Sequence, residues 1–154
     1  MVPPDAARMT DLAARLKLST READRLRGWS VEKPIPAETT NLALGKRLYF
    51  GDPQGIADRL ALDLAAARLK AATDDGALVA AAGLSRLLSA ARDWKKPVFP
   101  LKGNDLLALG MPAGPTVGEA IRALETDWAN SGFVLDRDAL LDKARALPAV
   151  RERR

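Results

Sequence analysis

Asp136-Arg137-Asp138 has the carboxylate-x-carboxylate spacing with which nucleotidyl and phosphoryl transferases hold two metal ions. That chemistry needs the pair on a strand beside a glycine-rich triphosphate loop, so that both carboxylates face one phosphate. Here the pair opens a helical pattern, where Asp at the cap and in the first turn complements the helix dipole. Asp74-Asp75 reads the same way, so both pairs are expected to be caps rather than metal sites. The chain has no cysteine and no histidine, which removes thiolate nucleophiles, the usual zinc sites and imidazole-based triads. No catalytic residue and no metal ligand is therefore predicted.

The segment with the chemistry to hold a phosphate is Gly110-Met111-Pro112-Ala113-Gly114-Pro115. It resembles a helix-hairpin-helix turn, in which glycines let the backbone approach a phosphate and the second helix offers its N-terminal amides. An equally simple account is a glycine-terminated helix followed by a proline start. Lys95, Lys96, Lys102 and Arg122 flank the turn in sequence, so the candidate RNA-binding residues are Lys95, Lys96, Lys102, Gly103, Gly110, Gly114 and Arg122. Arg68 and Lys70, at the end of a long helix, are expected to matter less. Leu12 to Leu26 also has a helix-turn-helix outline, with Arg21 and Arg25 facing a groove, but Glu22 and Asp24 would repel phosphates. Lys17 stands in that turn where a glycine is often found. Trp29, Trp94 and Trp128 each close an apolar helical stripe and read as packing anchors rather than base-stacking platforms.

The elements that would position these residues follow from periodicity. Met9, Leu12, Ala13 and Leu16 recur at helical spacing behind Asp5. Ser19-Thr20-Arg21-Glu22 has the form of a capping box and opens a second helix, with Gly28 expected to close it. Lys33-Pro34-Ile35-Pro36 must be extended. A third helix is predicted over Leu42 to Tyr49, and Asp52-Pro53 starts a long fourth carrying Ile56, Leu60, Leu64 and Leu69, with Arg59 and Asp63 on its wet side. A fifth runs from Asp74-Asp75-Gly76 to about Trp94. The basic, proline-rich Lys95 to Pro100 is the expected boundary. Beyond it lie a short helix between Gly103 and Gly110, a longer one with Val117, Ala120, Ile121, Leu124 and Trp128 on one face, and a last one capped by Asp136.

Composition agrees with this pattern. Of 154 residues, 47% are hydrophobic and 29% charged, a globular balance in which Leu and Ala outnumber β-branched and aromatic types. The prediction is all-α: a helical bundle over residues 5–94, a small helical tail over 97–147, and a disordered end over 148–154. A net charge of +4 leans mildly toward polyanion partners. No run approaches the roughly 20 apolar residues of a membrane span, and the start lacks a leader pattern, so a soluble cytoplasmic protein is expected.

The run Leu101-Lys102-Gly103-Asn104-Asp105-Leu106-Leu107-Ala108-Leu109-Gly110-Met111-Pro112-Ala113-Gly114-Pro115-Thr116-Val117-Gly118 resembles the C-terminal signature of bacterial CCA-adding tRNA nucleotidyltransferases and related poly(A) polymerases. In that family a G-x-D-L-x-x-L-G-x-x-x-G-P-x-h-G run precedes an amphipathic helix, as Glu119 to Trp128 does here. Leu16-Lys17-Leu18-Ser19 and Leu48-Tyr49-Phe50-Gly51 are similar too. The resemblance implies that this chain corresponds to the helical body and tail, which hold tRNA, and that the catalytic head with its metal carboxylates and triphosphate loop is absent. Mg, CTP and ATP would belong to that head, leaving no cofactor in this chain. Its implied partners are tRNA, through backbone contacts, and the N-terminal head, with a homodimer left open and no membrane. From another class, the same residues could form a helical interaction or dimerisation module without RNA binding.

Overall fold

The computed structural model describes residues 5–147, which form eight α-helices and, among the described residues, no β-strand. The chain is all-α, as its periodicity predicts. It divides between Lys96 and Pro97 into two compact units, here the body and the tail. The segment 148–154, expected to be disordered, lies outside the described residues.

The body contains α1 (Ala6–Arg15), α2 (Thr20–Val31), α3 (Asn41–Phe50), α4 (Pro53–Lys70) and α5 (Asp75–Asp93). Each begins on a side chain that accepts from free first-turn amides: Asp5, Ser19, Thr40, Asp52 and Asp74. At α2 the capping box is complete, with the Ser19 amide donating to Glu22 at 2.9 Å and the Glu22 amide donating to Ser19 Oγ at 3.4 Å. Ile56 and Leu60 of α4 and Leu87 of α5 are wholly buried, and Leu44 and Leu48 of α3 close over the same core. Burying each such side chain contributes about 1.5–3 kcal/mol, so the α4–α5 pair with α3 across it carries most of the body's stability.

Three expectations change. Gly28 does not close α2, which runs on to Val31. Its lack of a side chain serves packing instead: a Cβ on Gly55 of α4 would stand 3.3 Å from the Gly28 carbonyl carbon, so the two glycines mark a close backbone approach of α2 to α4. Leu69 is not part of the apolar arc, being 82% exposed in the last turn of α4. Arg59 and Asp63 are not on a wet face either. The Arg59 side chain is 12% exposed, pairs with Asp63 at 2.9 Å and donates to the Glu32 carbonyl, tying α4 to the end of α2.

The tail contains α6 (Gly103–Ala108), α7 (Pro115–Asn130) and α8 (Arg137–Arg145), with α8 packing on both of the others. Its centre is Trp128, 3% exposed, with Phe99 and Phe133 against it edge-on at 5.4 and 5.1 Å. Leu106, Leu124 and Leu140 fill the space around it. Trp128 is thus a packing anchor, as expected, and Trp94 packs partly buried against the body core.

Helices α1, α6 and α7 end in the same way. In each, the residue after the cap has a positive φ and donates back to the carbonyl three residues earlier, while the next residue donates five back: Lys17 and Leu18 after α1, Gly110 and Met111 after α6, Gly132 and Phe133 after α7. Gly110 and Gly132 take this conformation freely. Lys17, at φ 51°, takes it with a side chain in place, which accounts for a lysine where a glycine would be ordinary.

Candidate nucleic-acid interface

The glycine turn is built by these endings. Gly110, at φ 91°, reverses the chain after α6, and Met111 turns inward, 4% exposed, with its amide on the Leu106 carbonyl at 3.1 Å. Gly114, at φ 148°, then precedes Pro115, whose ring supplies the first residue of α7. A Cβ on Gly110 or Gly114 would meet no atom within 4 Å, so both glycines are required by conformation and leave their backbone open. Helix α7 starts without a side-chain cap, unlike the helices of the body. Pro115 has no amide hydrogen and the Val117 amide returns to the Gly114 carbonyl at 3.2 Å, which leaves the Thr116 amide for solvent or an anion.

On the other side of α6, Asp105 accepts from the Lys102 amide at 2.7 Å and from Arg137 of α8, also at 2.7 Å. The Lys102 amide and the Arg137 guanidinium together hold the Asp105 carboxyl below the usual carboxylate range. This single side chain fastens the start of α6 to the start of α8. Gly103 opens α6 against Val117, 3.4 Å from where a Cβ would stand.

Of the seven sequence-derived residues, Lys102, Gly103, Gly110, Gly114 and Arg122 belong to the tail, and Lys95 and Lys96 close the body. Lys102 and Arg122 are exposed, and the Lys102 charge acts in part on the Asp105 carboxylate. Lys96 places its ammonium 5.0 Å from the centre of the Tyr49 ring, so part of its charge is spent on an internal contact. The Asp136 carboxylate accepts from the Ala139 amide at 2.8 Å and Asp74 accepts from Gly76 and Ala77, so both act as caps. Arg25, which a helix-turn-helix would present to DNA, is instead held by Asp58 through two contacts of 2.6 Å, and this pairing raises its pKa.

Charge divides unequally between the units. Residues 5–96 carry sixteen Lys and Arg against twelve Asp and Glu, a balance of +4. Residues 97–147 carry five against seven, a balance of −2, and three of the five cations are paired: Arg137 with Asp105, Lys143 with Asp127 and Arg145 with Asp142. The free cations are mostly in the body. Two of them, Arg68 of α4 and Arg92 of α5, line one open groove of about 380 Å³ together with Ala61, Ala65, Ser85 and Ser89. Periodicity can reveal them in advance: neither arginine has a carboxylate three or four residues away, so neither can be neutralised within its own helix.

A second groove, of about 420 Å³, is almost wholly apolar, lined by Leu18, Leu26, Trp29 and Leu62 with the Arg25–Asp58 pair at its edge. The Trp29 indole N–H is buried and has no hydrogen-bond partner. Among the described residues there is no cluster of three or more His, Cys, Asp or Glu able to hold a metal ion, and no helix long and apolar enough to cross a membrane.

No protein-family model matches the chain. It is similar to the mitochondrial CCA tRNA nucleotidyltransferase 1 of Mus musculus and of Homo sapiens, 33% identical to each over 55 residues, and to that of Danio rerio, 36% identical over 59 residues. These segments cover 36–38% of this chain and only 13–14% of the relatives. A part of this all-helical chain is thus similar to a small part of CCA tRNA nucleotidyltransferases.

Proposed function

We propose that this chain is the tRNA-holding body and tail of a tRNA nucleotidyltransferase that adds or processes the tRNA 3′ end, without the catalytic head. The observation that carries the reading is the similarity of 55–59 residues of the chain to three CCA tRNA nucleotidyltransferases. The open glycine turn and the uncapped start of α7 support it, since they offer open backbone, the Thr116 amide included, beside Lys102. In this reading Lys95, Lys96, Lys102 and Arg122 contribute charge, Gly103, Gly110 and Gly114 let the backbone come close, and no base is read. Nucleotide selection, Mg, CTP and ATP belong to the N-terminal catalytic head of the parent protein, which this chain would pack against. A cytoplasmic location is part of the proposal; the named relatives are mitochondrial.

The test is binding of a tRNA transcript to the chain across a salt series. Binding should weaken steeply with salt, the log-log slope falling by about 0.7–0.9 for each phosphate contact removed. Lys95→Glu, Lys96→Glu and Lys102→Glu together should weaken it further. With magnesium, CTP and ATP the chain alone should not extend a trimmed tRNA, and extension above a contaminant control would refute the reading. The apolar groove around Trp29 favours a second reading, a helical interaction or dimerisation module. Concentration-dependent self-association with no tRNA binding would select it.

A further inference from the structure

We propose that the groove between α4 and α5 is a binding site for the phosphodiester backbone of RNA, with Arg68 and Arg92 as its cations and Ser85 and Ser89 as its hydrogen-bond donors. The inference rests on the RNA-binding reading above, and it adds a charge contact on the body to those around the tail turn. Both arginines are exposed and, among the described residues, have no ion-pair or hydrogen-bond partner. A guanidinium in this state keeps its planar fork of donors for a phosphate, which it can bind through two parallel bonds. The serines carry the second observation. Thr10, Ser30 and Thr126 each return their hydroxyl to a carbonyl of their own helix, at 2.7–2.8 Å, whereas Ser85 and Ser89 make no such bond and line the groove.

The spacing fits an extended polyanion. Ser85, Ser89 and Arg92 succeed one another at helical turns along α5, and Ala61, Ala65 and Arg68 do so along α4. The groove therefore extends over about two turns, or roughly 10 Å, with the buried Leu64 and Leu88 beneath it and the small Ala61 and Ala65 along the α4 side. Asp93 is the carboxylate in the lining, so the groove's own charge is +1. That balance suits singly charged phosphodiesters passing through rather than a nucleoside triphosphate. No aromatic ring lines the groove, so contact is with backbone and not with stacked bases.

The full chain is titrated with two probes, a tRNA transcript and an RNA hairpin lacking tRNA tertiary structure, by anisotropy across a salt series. Arg68→Ala with Arg92→Ala is expected to bind both probes roughly tenfold more weakly or worse, since bonds to charged groups are the strong ones, with a slope about 1.4–1.8 smaller. Arg8→Ala with Arg21→Ala removes the same charge from unpartnered positions on α1 and α2 and should change binding by no more than about threefold. Asp93→Asn should tighten binding. Ser85→Ala with Ser89→Ala should weaken it without changing the slope, because it removes hydrogen bonds and no charge. Melting curves of all variants should stay close to the parent's, as the sites are exposed. If the Arg68, Arg92 pair and the Arg8, Arg21 pair lose binding equally, the cations act as a diffuse field and the groove assignment is overturned. If tRNA binds but the Arg68, Arg92 variant is indistinguishable from the parent, the groove falls and the tRNA reading survives. Binding of the hairpin through the groove with no preference for tRNA would keep the groove and remove the tRNA reading, and no binding of either probe removes both.

Discussion

The body and the tail are both three-dimensional helix packings of similar local grammar, yet their charge balances have opposite signs. In the body, carboxylates cap helices or pair with arginines, within α4 as Asp63 does with Arg59 and across elements as Asp58 does with Arg25, and Arg68 and Arg92 are still left without a partner on the surface. In the tail, carboxylates outnumber cations and bind them across elements: Arg137 to Asp105 and Lys143 to Asp127. The difference teaches that a net charge of +4 for the whole chain hides a basic unit and an acidic one. A long-range field attracts a polyanion to the body, while the tail adds the local charges of Lys102 and Arg122 and short-range backbone contacts.

The two cores provide the sharpest way to break the comparison. Trp128→Ala should cost the tail about 3–5 kcal/mol, and Leu87→Ala should cost the body about 2–5 kcal/mol. Two-dimensional NMR reads the units separately, and loss of body signals in Trp128→Ala would show that they do not fold independently. Next in size is Gly83→Ala. Its Cβ would stand 2.6 Å from the Ala37 carbonyl oxygen, so despite the gain in helix propensity a net loss of about 1–3 kcal/mol is expected by denaturant unfolding of the body. Gly110→Ala should cost the tail roughly 1–2 kcal/mol through its positive φ, with body signals unchanged.

Acidification separates the units more gently. Glu22 and Asp105 both have lowered pKa values, Glu22 because Ser19 donates to it through hydroxyl and amide, Asp105 because of the Lys102 amide and Arg137. A lowered pKa means the carboxylate stabilises the fold above the ordinary unfolded value, about 4, and loses that contribution as pH falls through the lower folded value. Glu22 secures only its own helix, whereas Asp105 joins α6 to α8. Below about pH 4 the tail should therefore loosen before the body, and Asp105→Asn should reduce the pH dependence of α8 in NMR titrations, leaving the part carried by Asp136 and Asp127. The smallest effect is expected from Lys143→Ala, under about 1 kcal/mol, because its pair with Asp127 is half exposed.

Much of the fold is legible in local sequence. The caps at Asp5, Ser19, Asp52, Asp74 and Asp136 act through side chains within three residues of the amides they serve, so short-range pattern suffices. Gly28, Arg59 and Leu69 are misread for one common reason, that their environment is set by a partner element. Gly28 is explained by Gly55, and Arg59 by Glu32 at the end of α2. Leu69 is exposed because, among the described residues of the body, none covers the last turn of α4. The candidate site divides along the same line. The conformations of Gly110 and Gly114 follow from Gly and Pro chemistry, whereas the loss of Arg137 and Arg25 to Asp105 and Asp58 spans some thirty positions and leaves no periodic trace.

The fastening of α8 has a consequence for measurement. Its two cross-element ties, Arg137 to Asp105 and Lys143 to Asp127, are partly exposed to solvent, so dissolved ions weaken them with the same screening length that governs RNA contacts. Raising salt therefore changes the molecule as well as its ligand affinity. The amides of α8 should exchange with deuterium faster at 1 M than at 0.1 M salt, while those around Leu87 keep their rate. Part of any salt slope measured for a tail variant will then report the opening of a helix, and exchange data collected at each ionic strength give the correction.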